Sequence, residues 1–209
     1  MKGKWMIKCS SVNIKELSKT TGVNPIMVNI LVNRGIKTPY DIDRFVNASL
    51  NDLYDPFLMQ DMDKAIEIIK EGIKHGKKIA IYGDYDVDGV TSTVILYKAL
   101  KRCKGNFIYH IPNREDEGYG MNSERIKSLK EEGVDIILSC DNGISAIEQV
   151  KLAKELGMKV IITDHHELSF KEDENGERHY ILPEADAVVN PKRGDCSYPF
   201  KMLCGAGIA

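Results

Sequence analysis

The chain has 209 residues, 43% of them hydrophobic, with 29 Lys and Arg against 31 Asp and Glu, for a formal net charge of -2. That length supports one sizeable core, or a core plus a small helical appendage. The charge excludes wholesale wrapping by a polyanion but leaves room for a local basic groove.

From about Val12 to Tyr54 the pattern is helical and short-looped, and a helical amino-terminal extension over residues 1–60 is expected. Asn13 suits the cap of a helix through Ile14 to Leu17. Pro25 suits the first turn of the next helix, Ile26 to Asn33, with Gly35 beyond its end. Helices around Thr21-Gly22 look superficially like a helix-turn-helix, but no Arg or Lys cluster marks a recognition face, so a packing appendage is the reading. Asp61 to Lys74 repeats apolar residues at Met62, Ala65, Ile66, Ile69 and Ile73, an amphipathic helix that Gly76 ends.

From Lys78 the chain alternates strands, near 78–83, 106–111, 134–139, 158–163 and 186–189, with helices near 91–103, 122–132 and 144–156. Apolar strands joined by helical segments of this length imply an α/β domain over 61–209, a doubly wound, mainly parallel sheet with helices on both faces. A charged stretch, Lys171 to Arg178, reads as a solvated loop. Gly205-Ala206-Gly207-Ile208-Ala209 looks like a loop opening a helix, so further sequence is expected beyond it, the chain being an amino-terminal fragment.

The five cysteines, Cys9, Cys103, Cys140, Cys196 and Cys204, are scattered, odd in number and lack a C-x-x-C pair. They read as reduced thiols of an intracellular protein. No stretch approaches the length of a membrane span, and a cytoplasmic protein without membrane contact is expected.

The strand ends carry the chemistry. Ile79-Ala80-Ile81-Tyr82 empties into Asp84, Asp86, Asp88 and Gly89; Ile136 to Cys140 empties into Asp141-Asn142-Gly143; Val160-Ile161-Ile162 empties into Asp164-His165-His166. In doubly wound sheets ligands gather at the carboxyl ends of strands, so these residues meet along one rim. Carboxylates suit Mg²⁺ and Mn²⁺ and imidazole suits transition metals, so manganese accommodates both. Stacked carboxylates repel one another, a cost most simply offset by a cation. Metal-assisted hydrolysis of a phosphate ester follows, with Asp141 placed to bridge two metals. Asp164 can orient an imidazole, and adjacent histidines divide their work, one to metal and one to the substrate phosphate.

Competing motifs fail. An EF-hand loop from Asp84 needs a Glu where Ile95 stands, Phe170 replaces the second His of H-E-x-x-H, and Ser123 replaces the last Gly of G-x-G-x-x-G. Arg114, beside Gly118-Tyr119-Gly120, is a candidate phosphate clamp.

Tyr82 to Ser92, Asp141-Asn142-Gly143-Ile144-Ser145 and Asp164-His165-His166-Glu167 resemble the first three motifs of the DHH phosphoesterase superfamily, and within it the RecJ-type single-strand-specific exonucleases. Asn33-Arg34-Gly35-Ile36, Ile111-Pro112-Asn113-Arg114, Val189-Asn190-Pro191-Lys192 and Leu203-Cys204-Gly205-Ala206-Gly207 extend the likeness over nearly the whole chain from about residue 15.

The resemblance implies Asp84, Asp86, Asp141 and His165 as ligands of Mn²⁺ or Mg²⁺ in a two-metal site, with Asp141 bridging. It implies His166 at the scissile phosphate, Asp164 as the support of its neighbour, and Arg114 at a position associated with the DNA 5′ end. A fourth family motif, with another Asp ligand, lies past Ala209. The implied activity is 5′-to-3′ exonuclease action on single-stranded DNA in repair and recombination, weak in this piece alone. Single-stranded DNA is the implied partner, with a single-strand-binding protein and a helicase as further candidates. Two alternatives stand beside it: a DHH phosphoesterase acting on oligoribonucleotides, cyclic dinucleotides or pyrophosphate, and a non-catalytic replication scaffold.

Overall fold

A computed structural model describes residues 11–118, 120–174 and 176–209, so Cys9 and Tyr119 lie outside the described residues. Two units divide the chain, one ending at Leu53 and one running from Tyr54 to Ala209. The sequence boundary at residue 60 differs from this division because Met59 packs into the core of the second unit.

In the first unit, three short helices each start on a side-chain cap, which satisfies backbone N–H groups that have no intrahelical partner. Asn13 caps α1 (Ile14–Thr21), Asn24 caps α2 (Pro25–Asn33) and Thr38 caps α3 (Pro39–Val46). Gly22 ends α1 at φ 71°, a left-handed conformation that costs glycine little. Val28, Leu31, Val32 and Ile42 form the small core between the helices.

In the second unit, α4 (Met62–Lys74) precedes five strands: β1 (Lys78–Tyr82), β2 (Asn106–His110), β3 (Ile136–Cys140), β4 (Lys159–Thr163) and β7 (Ala187–Val189). They form one fully parallel sheet in the order β2-β1-β3-β4-β7. The period of two along a strand divides the side chains between two layers. Ala80, Tyr82, Ile137, Val160, Ile162 and Val188 pack with Ile126 and Leu129 of α6 (Ser123–Glu131) and with Val150 and Ala153 of α7 (Ile147–Glu155). Ile79, Ile81, Ile136, Leu138, Ile161 and Val189 pack on the other face with Ala65 of α4 and Leu100 of α5 (Val87–Arg102). Burial on both faces is why these strands read as continuous apolar runs.

Three expectations need correction. Helix α5 begins at Val87, not near 91, because the Asp86 carboxylate accepts the Gly89 N–H at 2.9 Å and so places Asp88 in the first helical turn. Helix α7 begins at Ile147 rather than 144. The charged stretch is not a loop. It forms an exposed antiparallel hairpin, β5 (Ser169–Glu172) with β6 (Arg178–Ile181), pairing Phe170 with Tyr180 and Glu172 with Arg178. Cross-strand contacts of that kind stabilise a hairpin despite its charge: the Arg178 guanidinium lies 4.3 Å from the centroid of the Phe170 ring. The last described helix is α8 (Gly205–Ile208). No helix among the described residues is long and apolar enough to cross a membrane.

Candidate metal centre

Strands β1, β3 and β4 are neighbours, so the segments after Tyr82, Cys140 and Thr163 leave the sheet side by side at its carboxyl rim. Side-chain oxygens of Asp84, Asp86 and Asp141 lie within 4.8 Å of one another, and Asp141, His165 and His166 form a second group on the same criterion. Asp141 belongs to both. All six residues read from the sequence as site residues at this rim are therefore brought together there, with Asp164 beneath the histidines.

Asn142 fixes the rim. Its buried Nδ2 donates to the carbonyls of Gly83 at 2.8 Å, Cys140 at 3.2 Å and Tyr82 at 3.3 Å, tying the end of β1 to the end of β3. Asp141 itself has φ 61°, in the left-handed region that an L side chain adopts at a cost. Its N–H donates to the Thr163 carbonyl at 3.0 Å, so β4 holds that conformation in place. Two glycines close the approach. A Cβ on Gly89 would lie 2.6 Å from the Asp84 Cβ, and one on Gly205 would lie 2.5 Å from Asp141 Oδ1.

The electrostatics of the carboxylates are unfavourable without a cation. Asp84 is 2% exposed and Asp141 1% exposed, and Oδ1 of each has no hydrogen-bond donor. His165 Nε2 lies 3.0 Å from Asp141 Oδ1, a close approach that does not form a hydrogen bond. Burial, reinforced by the charges of Asp88 and Asp86, pushes the Asp141 carboxyl up to about 7. Burial, and then Asp86, also raises Asp84. Two buried carboxylates with donorless oxygens, grouped with Asp86 so that one oxygen of each lies within 4.8 Å of the others, are the donor set a hard divalent cation requires, and these residues fit one.

Asp164 is partnered differently. Its carboxylate accepts the N–H groups of His165 at 2.7 Å, Ile144 at 2.9 Å and His166 at 3.1 Å, and lies 2.7 Å from His166 Nδ1. Burial opposes its ionisation, but these bonds prevail and hold its pKa below the ordinary carboxylate range. The same bond to the ring raises the pKa of His166.

Asp88, which the sequence placed in the same acidic loop, is used differently from Asp84 and Asp86. It accepts the N–H groups of Gly205 at 2.6 Å and Ala206 at 2.8 Å, capping α8, and those bonds outweigh burial to lower its pKa. It remains 3.5 Å from His165 Nε2. Arg114 is on the exposed loop after β2, its guanidinium 5.4 Å from the centroid of the Tyr85 ring. Sequence reasoning missed the strut role of Asn142 and the contact of Gly205 with Asp141. The sequence reading of Asp141-Asn142-Gly143 as a functional rim segment rested on the Asp141 carboxylate, with no sign of what the Asn142 amide would join, and Gly205 is remote in sequence.

The model of the DHH family, N-terminal domain, matches residues 78–209. The chain belongs to the DHH family. This DHH chain is 41% identical over 196 residues to the single-stranded-DNA-specific exonuclease RecJ of Bacillus subtilis, covering 94% of this chain and 24% of that one. It is 34% identical over 187 residues to the RecJ of Escherichia coli, covering 88% and 30%. The chain thus spans about a quarter to a third of the length of these relatives. Among solved structures, an exonuclease RecJ bound to manganese superposes with a TM-score of 0.61 at 30% identity, over 75% of this chain and 37% of that one. RecJ of Thermus thermophilus in complex with Mn²⁺ gives a TM-score of 0.63 at 25% identity, over 93% and 25%.

Proposed function

We propose that this DHH chain forms the metal-binding part of an exonuclease that hydrolyses the phosphodiester bonds of single-stranded DNA from 5′ to 3′, in repair and recombination. The observation that carries the reading is the pair of buried, donorless oxygens of Asp84 and Asp141, on a chain 41% identical to a curated RecJ. Asp84, Asp86, Asp141 and His165 would hold Mn²⁺ or Mg²⁺, and the membership of Asp141 in both ligand groups supports it as the bridge. Bound there, the ions would supply an activated water and neutralise developing phosphoryl charge.

The chain's own residues supply the rest. Asp164, kept ionised by the His166 ring and its backbone donors against burial, accepts the Nδ1–H of His166 and so fixes the ring. The raised pKa of His166 favours its protonated form, which serves a phosphate oxygen as a charged donor at Nε2. Arg114 anchors a terminal phosphate and so sets the direction of cleavage, while His166 meets the scissile one. Single-stranded DNA is the proposed partner, a reading supported by the names of the curated relatives; a single-strand-binding protein and a helicase enter only through the family resemblance.

The test is a 3′-labelled single strand incubated with the full protein and Mn²⁺, with Asp141→Ala as the contamination control. Stepwise shortening from the 5′ side by the wild type alone is the expected result. Shortening from the 3′ side, or hydrolysis confined to oligoribonucleotides or pyrophosphate, would overturn the assignment.

A further inference from the structure

We propose that Tyr85 is a positioning residue for Arg114, coupling the phosphate anchor mechanically to the loop that carries the carboxylates. The proposal rests on the reading of Arg114 as the anchor of a terminal phosphate. An arginine on an exposed loop loses rotamer entropy on capture of an anion, and holding it beforehand lowers that cost. The structure shows it held from two sides.

From below, the Tyr85 ring lies 5.4 Å from the guanidinium carbon of Arg114, within cation–π range. That ring is on a short, fixed tether. Its neighbour Asp84 is buried, and its other neighbour, Asp86, caps α5 through the Gly89 N–H. An aromatic face suits the task because it orients a cation without neutralising it. A carboxylate in the same place would consume the charge that the phosphate needs.

From the loop side, the main chain on either side of Arg114 is bonded. Glu117 Oε1 accepts the Asn113 N–H at 3.1 Å, and Asn113 Oδ1 accepts the Glu115 N–H at 3.0 Å. Glu117 Oε2 lies 2.8 Å from His110 Nε2, and His110 is the last residue of β2, its ring packed edge-on against buried Tyr82 at 5.0 Å. The loop is thereby pinned to the sheet, and its arginine is laid over the one aromatic residue within the Asp84–Asp86 turn.

Geometry of this kind makes Tyr85 a determinant of end-group preference rather than of metal affinity. The test measures equilibrium binding of 5′-phosphorylated and 5′-hydroxyl oligothymidylate to the full protein by fluorescence anisotropy without metal, together with a separate Mn²⁺ titration. It therefore needs no turnover, and its result stands whether or not the protein proves to be an exonuclease. Tyr85→Leu should reduce the preference for the phosphorylated strand by about two- to fivefold, the range for an exposed cation–π contact. Tyr85→Phe should restore it, and Mn²⁺ affinity should stay unchanged in both. If Arg114→Ala removes the preference while Tyr85→Leu leaves it intact, the positioning role is refuted and the anchor stands. If Arg114→Ala changes nothing, the anchor itself is refuted. If Tyr85→Leu lowers Mn²⁺ affinity along with the preference, Tyr85 serves the carboxylate loop and the proposal fails.

Discussion

Replacing Asp141 by Asn should make the metal-free protein more stable at pH 8 while depriving it of its metal. The buried carboxyl of Asp141 titrates at about 7 in the fold against an ordinary 3.8, chiefly because burial and the charges of Asp88 and Asp86 oppose its ionisation. A pKa raised on folding contributes stability that is present below 3.8 and lost as pH rises through about 7. The interval from 3.8 to about 7 sets an upper bound of about 4 kcal/mol, and side-chain relaxation and water entry bring the expected difference to about 2 kcal/mol. The amide is nearly isosteric and neutral, and Asn tolerates the left-handed backbone of this position well, so φ 61° adds no penalty. Urea unfolding in EDTA between about pH 4 and 8.5 measures this. Wild type should lose stability up to about pH 7 and then level, whereas Asp141→Asn should show a flatter curve and exceed it at pH 8. Added Mn²⁺ should raise wild type alone, by mass action. An Asp141→Asn protein no more stable than wild type at pH 8 in EDTA would show that the carboxylate is satisfied within the fold, against the reasoning above.

Two other perturbations probe the frame and the approach to the centre. Asp61, half-buried and held at about 2 because hydrogen bonds from Lys64 and Arg193 prevail over desolvation, contributes stability present above pH 3.8 and lost as pH falls toward 2; Asp61→Ala should cost about 2 kcal/mol at pH 7 by urea unfolding and remove that acid dependence. Gly205→Ala should lower Mn²⁺ affinity about tenfold in a calorimetric titration, since its Cβ would lie 2.5 Å from Asp141 Oδ1 and force about 1.4 kcal/mol of displacement.

The strands and the rim were legible because burial on both faces makes Ile79–Tyr82, Ile136–Cys140 and Val160–Thr163 apolar, and because the acidic residues follow them directly. Long-range partners were not legible. The Asp88 carboxylate accepts backbone donors 117 and 118 residues away, so a pattern of alternate acids gave no sign that one of them caps a helix. Asn142 likewise reads locally as a turn, although its amide joins two strands some 60 residues apart. The hairpin at Ser169–Ile181 was hidden because charge masked the alternation of Phe170 and Tyr180 with polar neighbours.

The centre itself is tested most directly by an anomalous difference map from crystals of the protein grown with Mn²⁺. A metal-binding rim predicts a manganese peak among the carboxylates of Asp84, Asp86 and Asp141, within bonding distance of Asp141. A protein saturated with Mn²⁺ but showing its peak elsewhere, such as at the exposed Asp173, Glu177 and His179, would contradict it.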